Sequence, residues 1–255
     1  AYNPYTPPPG WYAISETSRQ LGLMLQNTDM YAYFQDKEPV ACAGYSICLY
    51  RVNYPVDTPV DRVVVDDGRS VSDIPADELG VANGRRLIAK WVQPPGDIVP
   101  VGKNFALPAD FQPATANFDD AFALLGYRIA EGKTAVAPGD TLQLTLFWHV
   151  ASGQVAAPAP SQAAPLAAFV HLSGPDPADI VAQYDGWPAA LTGLEPGDLI
   201  VQPVTLTVSP DAPEGEYFVR VGLYSPQSGQ RLPLLSPAGA GDALSLLPIH
   251  VTANP

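Results

Sequence analysis

Three features of the amino-acid sequence predict a mainly β protein, with a C-terminal antiparallel Ig-like or jelly-roll-type β-sandwich preceded by a small α/β (strand–helix–strand) region. Apolar and polar residues alternate with period two in several segments after residue 116. Turn signals separate those segments. The 29 prolines and 21 glycines are spread along all 255 residues, which argues against long helices. The chain divides on this reading into 1–54, the small α/β unit; 55–115, a mixed connecting region with short strands; and 116–255, the sandwich.

In the first block, residues 11–15 read as a short strand. The pattern turns helical in places between Thr17 and Lys37, where Asp29 is placed to cap a helix bearing Tyr31 and Phe34. Pro39 stops it. Residues 40–52 are β-branched and aromatic, giving one strand or a hairpin. In the connecting region, residues 60–65 form a strand and Asp66-Asp67-Gly68 a turn. Ser72 or Asp73 is placed to cap a short helix over 74–79, with Pro75 in its first turn. A strand over 86–92 follows Asn83-Gly84, Pro94-Pro95-Gly96-Asp97 opens a further short strand, and 108–115 read as a linker.

The last block carries the clearest signal. Leu142, Leu144, Leu146, Trp148 and Val150 share one face of a strand, and Thr141, Gln143, Thr145 and His149 the other. Phe147 breaks the alternation. Period two means one face buried and the other largely wet. Val204, Leu206 and Val208 repeat the pattern, as do Tyr217, Val219, Val221 and Leu223, and Leu247, Ile249 and Val251 point inward from a final strand. Pro138-Gly-Asp140, Pro196-Gly-Asp198, Gly215 and Ser228-Gly229 mark turns. Gly215-Glu-Tyr217 after Asp211 suggests a tyrosine corner. Residues 153–165, rich in Ala, Pro, Ser and Gln, read as a loop tip between two strands.

Composition excludes several classes of function. The formal net charge is −13, and the 13 Lys and Arg form no run longer than Arg85-Arg86. No basic stripe exists to release counterions from phosphate, so nucleic acid is not a partner. Anionic membrane surfaces are disfavoured likewise. Charged residues make up 15%, low for a cytosolic enzyme of this size. No apolar run is long enough to span a bilayer, and no signal peptide is present. The chain opens in a Pro-rich stretch that reads as the middle of a loop, the expectation being a fragment or processed chain.

Candidate chemistry is sparse. His149, His171 and His250 share no metal-ligand spacing. No nucleophile-elbow serine or phosphate-binding glycine loop occurs, so no catalytic residue and no cofactor is assigned. Asp66-Asp67 and Asp119-Asp120 read as solvated turns, with a structural calcium site as the minor alternative. Cys42 and Cys48 are too far apart for a disulfide on one continuous strand. If residues 44–46 turn, the thiols face each other across a hairpin; a disulfide and two buried free thiols both stay open. The densest cluster is Phe169-Val-His171, then Tyr184-Asp185-Gly-Trp187. Sugar sites combine flat aromatic surfaces with a few polar groups. On that reading Trp187 and Tyr184 stack on a glycan, Asp185 and His171 hydrogen-bond it, and Tyr224 and Arg231 join them. The competing reading makes Trp187 a cover for the end of the sandwich, with His171 and Asp185 fixing a loop.

Residues 9–15 (Pro-Gly-Trp-Tyr-Ala-Ile-Ser) and 38–50 (Glu-Pro-Val-Ala-Cys-Ala-Gly-Tyr-Ser-Ile-Cys-Leu-Tyr) resemble the extracytoplasmic soluble region of bacterial multi-pass membrane glycosyltransferases related to protein mannosyltransferases. Leu124-Leu-Gly-Tyr127, Phe169-Val-His-Leu172, Gln183-Tyr-Asp185, Gly222-Leu-Tyr224 and Arg231-Leu-Pro233 resemble the sandwich at their C-terminus. The resemblance implies an extracytoplasmic, membrane-associated accessory region. Its partners would be the transmembrane part of the same polypeptide and a glycan or glycosylation acceptor. The family's catalytic acid lies in the transmembrane region, so none is carried over. Cys42 and Cys48 depart from the aliphatic residues usual in that strand. The alternatives are a free-standing carbohydrate-binding or adhesion module and a structural cell-surface protein.

Overall fold

The computed structural model describes residues 3–25, 29–44, 46–151, 166–236 and 239–252. The expected loop tip at 153–165 lies outside them.

The N-terminal unit comprises β1 (Gly10–Ser15), α1 (Glu16–Leu25), a 3-10 turn (Ala32–Phe34), β2 (Ala41–Ala43) and β3 (Ile47–Val52). The strands form an antiparallel sheet in the order β1-β3-β2. The helix expected after Asp29 is a single 3-10 turn. Asp29 opens it by accepting a bond from the Tyr31 amide (2.8 Å) and holds the Gln35 side chain (2.6 Å). Phe34 is fully buried against Tyr12, Tyr33 and Tyr50 at centroid distances of 5.2–5.3 Å. A helical periodicity of two aromatics here serves packing rather than a longer helix. Residues 40–52 form the hairpin, with Cys42 opposite Cys48 and the two joined as a disulfide.

The connecting region contains β4 (Val60–Val65) and β5 (Arg86–Trp91), paired in parallel. Between them the short helix expected over 74–79 does not form. A 3-10 turn occupies Val71–Asp73 instead, and Ile74 is extended (φ −99°, ψ 126°). Pro75 explains this, because it disfavours the helical region for the residue before it. Ile74 and Leu79 are still buried, in a small core with Val65, Val71, Leu87 and Ala89. Residues 3–8 tie this region to the N-terminal unit. Asn3 and Thr6 bond Leu87 O (3.0 and 2.7 Å), and Tyr54 donates to Pro7 O (2.9 Å).

The remaining strands are β6 (Asp97–Val99), β7 (Gln112–Phe118), β8 (Phe122–Ile129), β9 (Ala135–Val136), β10 (Thr141–Val150), β11 (Ala167–Ser173), β12 (Ile180–Gly186), β13 (Leu199–Thr207), β14 (Gly215–Tyr224), β15 (Leu234–Ser236), β16 (Gly239–Gly241) and β17 (Leu244–Val251). They build a sandwich of a seven-stranded sheet, β16-β15-β7-β8-β10-β13-β6, and a five-stranded sheet, β12-β11-β14-β17-β9. The protein is mainly β, as the alternation predicts; β17 and β9 are the one sandwich pair described that runs parallel. The sheet reaches upstream of the expected boundary at 116. β6 pairs with β13, and β7 begins at Gln112, inside the stretch expected as a linker.

The sandwich core holds Leu142, Leu144, Leu146, Trp148 and Val150 from β10 against Val170, Leu172, Val219, Val221 and Leu223 of the other sheet. Phe147 breaks the alternation because its outward face is covered. Phe105 and Phe111 lie 6.2 and 5.5 Å from its ring. Gly126 makes room for that cover, since an added Cβ would sit 2.5 Å from Phe111 Cζ. Tyr217 donates to Pro213 O (2.9 Å), the tyrosine corner expected from its position after a turn.

One buried ionic joint connects the connecting region to the sandwich. Lys90, fully buried on β5, donates to Gly193 O (2.8 Å), Glu195 Oε2 (2.8 Å) and Asp198 Oδ2 (2.7 Å). Asp198, also fully buried, accepts from the amides of Val101 (2.9 Å) and Glu195 (2.7 Å). Arg62 grips Glu195 through two nitrogens at 2.6 and 2.9 Å. Gly193 (φ +95°) lets the loop approach, because a Cβ there would meet Ala89 O at 2.4 Å.

Candidate functional site

Strand parity decides which candidate residues meet. On β11, Ala168, Val170 and Leu172 point into the core, so Phe169 and His171 point outward. The register places Asp185 and Gly222 beside Phe169, Gln183 and Arg220 beside His171, and Tyr224 beside Ala167. Tyr224 also bridges Arg231. His171, Asp185, Tyr224 and Arg231 therefore share the outer face of the five-stranded sheet.

Phe169 organises that face. Its ring is nearly buried, with 3% exposed. The Arg231 guanidinium lies 4.3 Å from the ring centroid, His171 at 5.0 Å and Tyr224 at 6.3 Å. Gly222 lets the ring lie flat across the next strand, since an added Cβ would meet Phe169 Cζ at 2.3 Å and Asp242 O at 2.5 Å. Asp242 holds Arg231 from the other side at 3.3 and 3.4 Å. Burial pushes the His171 pKa below its ordinary value; Asp185 opposes this and Arg231 reinforces it. The imidazole is then neutral at pH 7, with one donor and one acceptor nitrogen. Burial, with the Asp185 carboxylate nearby, raises the Tyr224 hydroxyl. The face offers a carboxylate acceptor, a guanidinium donor and two groups that both give and take. That set suits vicinal hydroxyls.

Tyr184 and Trp187 do not belong to this face. Tyr184 lies opposite Val170, on the inward parity, and packs against the core. Trp187 packs against Phe122 (4.8 Å) and Trp148 (5.7 Å). It closes the end of the sandwich, and its indole Nε1 is buried without a hydrogen-bond partner. Beside it runs a buried polar chain. Trp148 Nε1 donates to Gln202 Oε1 (2.8 Å), and Gln202 Nε2 donates to Gly186 O (3.0 Å). The two aromatic surfaces expected from the sequence are thus half-buried and packed against the core. Gly222 and Asp242 are site residues absent from the sequence expectation, and Phe169, part of the expected cluster, has no role in it. Phe169 shares outward parity with His171, and that was the available signal.

The acidic turns are occupied as turns. Asp67 pairs with Arg69 at 2.6 Å, and Asp120 is bonded to Asn117 at 2.6 Å in the β7–β8 turn. Among the described residues no group of three or more His, Cys, Asp or Glu is placed to hold a metal ion.

The architecture is that of a mainly β, sandwich-centred protein. No family model matches the chain, and no curated protein matches it. Among solved structures, the crystal structure of the C-terminal domain of Wzt is similar over 58% of this chain and 83% of that one, with 11% identity and a TM-score of 0.36. A likeness at that level supports no functional transfer.

Proposed function

We propose that this chain is a non-catalytic, glycan-contacting module. It is read as the extracytoplasmic accessory region of a membrane glycosyltransferase, joined through a further segment to the transmembrane part of the same polypeptide. The observation that carries the glycan reading is the convergence of His171, Asp185, Tyr224 and Arg231 around Phe169 on one sheet face. Support for the compartment comes from the Cys42–Cys48 bond, since disulfides persist in oxidising environments. Support for the parent enzyme is the sequence resemblance in residues 9–15, 38–50 and the sandwich motifs. Among the described residues no helix is long and apolar enough to cross a membrane.

The test is a glycan array on the purified chain, repeated with Asp185→Ala and Arg231→Ala. Binding lost in both variants at unchanged melting temperature supports the reading. Binding retained in both sends the site elsewhere, and no binding by the parent removes the glycan role.

A further inference from the structure

A cleft lies where the N-terminal segment, β5 and the 193–196 loop meet. We propose that the cleft there binds a monosaccharide-sized organic acid, whose anionic oxygens pair with the Arg86 guanidinium. The cleft has a volume of about 250 Å³ and is lined by Asn3, Thr6, Arg86, Leu87, Leu194 and Glu195, among others. That lies just under the roughly 300–1,000 Å³ of drug-sized pockets, which limits the ligand to about one sugar ring. Its walls mix apolar side chains with a few fixed polar groups, as ligand sites do. Asn3 and Thr6 are locked to each other (3.0 Å) and to Leu87 O, so the polar wall is preorganised.

Arg86 supplies the charge. Its neighbour Arg85, which precedes β5, is paired with Asp61. Among the described residues Arg86 has no carboxylate partner, and its Nε is buried without a hydrogen bond. Its guanidinium lies over the Tyr54 ring, 5.4 Å from the centroid. Arg86 lines the cleft, so its guanidinium supplies the donors that an anion bound there would meet. The acids nearby do not pair with it. Glu195 and Asp198 are bound to Arg62 and Lys90. Counting those two pairs as neutral leaves the positive charge of Arg86 over in a protein of net charge −13. A planar guanidinium beside a small, half-apolar cleft recognises a carboxylate or phosphate through two parallel bonds.

The experiment is calorimetric titration of the whole chain with glucuronate, glucose 1-phosphate, glucose and inorganic phosphate. It is paired with NMR observation of the Arg86 Nε–Hε resonance, which does not depend on a variant folding. The expected result is binding of glucuronate or glucose 1-phosphate, a shift of that resonance, and no binding of glucose. Arg86→Gln should weaken binding at least about 10-fold, with Arg86→Lys intermediate. Whichever acid binds distinguishes a carboxylate from a phosphate source. The proposal is overturned if neither acid binds, if inorganic phosphate alone binds, or if the resonance stays unmoved at saturation. It is overturned too if a folded Arg86→Gln chain binds as tightly as the parent.

Discussion

Replacing Lys90 with Met keeps an unbranched apolar stem but removes the ammonium that three acceptors share. The lost bonds run to Gly193 O, Glu195 and Asp198, at 2.7–2.8 Å. Asp198 has no exposed surface through which water could replace the cation. It keeps its two amide donors but becomes a buried charge without a counter-ion. Breaking a buried pair from one side costs about 3–5 kcal/mol. For a chain of this size 1 kcal/mol is worth roughly 2–4 °C, so the melting temperature should fall by about 6–20 °C. Adding Asp198→Asn to Lys90→Met removes the stranded charge and should restore part of the loss, a coupling of about 0.5–3 kcal/mol. Urea unfolding of the parent, both single variants and the double variant measures the cycle. A loss under about 1 kcal/mol for Lys90→Met, or no coupling, would refute the view that this joint fastens β5 to the sandwich.

Other outcomes follow from the same packing. Trp187→Ala should cost about 3–5 kcal/mol, read by thermal unfolding, because it opens a cavity between Phe122 and Trp148. Gly222→Ala should cost about 1–3 kcal/mol and weaken glycan binding by displacing Phe169. Reduction of Cys42–Cys48, closing a loop with a separation of 6, should cost at most about 2 kcal/mol by denaturant unfolding. For pH, burial raises the Glu195 pKa, but the hydrogen bonds from Arg62 and Lys90 outweigh it and hold the carboxyl below its ordinary 4.5. A depressed acid stabilises the fold above its unfolded value, so this contribution is present above pH 4.5 and lost as pH falls through the lower folded value. His171 has the same sign. Its pKa is lowered from 6.5, so the unfolded chain takes the proton first and stability declines as pH drops below 6.5. His171→Gln should remove that part of a stability–pH curve.

The sandwich strands were legible because their inner and outer residues differ in polarity, as β10 and β14 show. The outer face was legible only in part. His171, Asp185, Tyr224 and Arg231 could be named from the sequence. Their separation from Trp187 depends on register, and a one-residue shift of parity sends a side chain to the other face. Trp187 follows the β12 strand by one residue, so its direction is set by the sandwich end rather than by alternation. The Lys90 joint was hidden for another reason. Pro138-Gly-Asp140 and Pro196-Gly-Asp198 look alike, and in both the Asp carboxylate accepts the amide three residues back, at 3.1 and 2.7 Å. Only the second is buried and receives a lysine from 108 residues away. Local sequence marks the turn and cannot mark that partner. The 3-10 turn at Ala32–Phe34 shows tertiary packing overriding a helical spacing.

The most direct measurement is NMR chemical-shift mapping of the chain titrated with a glycan that it binds on an array. Perturbed amides should cluster on the outward positions of β11, β12 and β14, around Phe169, His171, Asp185 and Tyr224, with the Trp187 indole unmoved. Shifts centred on Trp187 and Tyr184, or scattered with no cluster on that face, would contradict it.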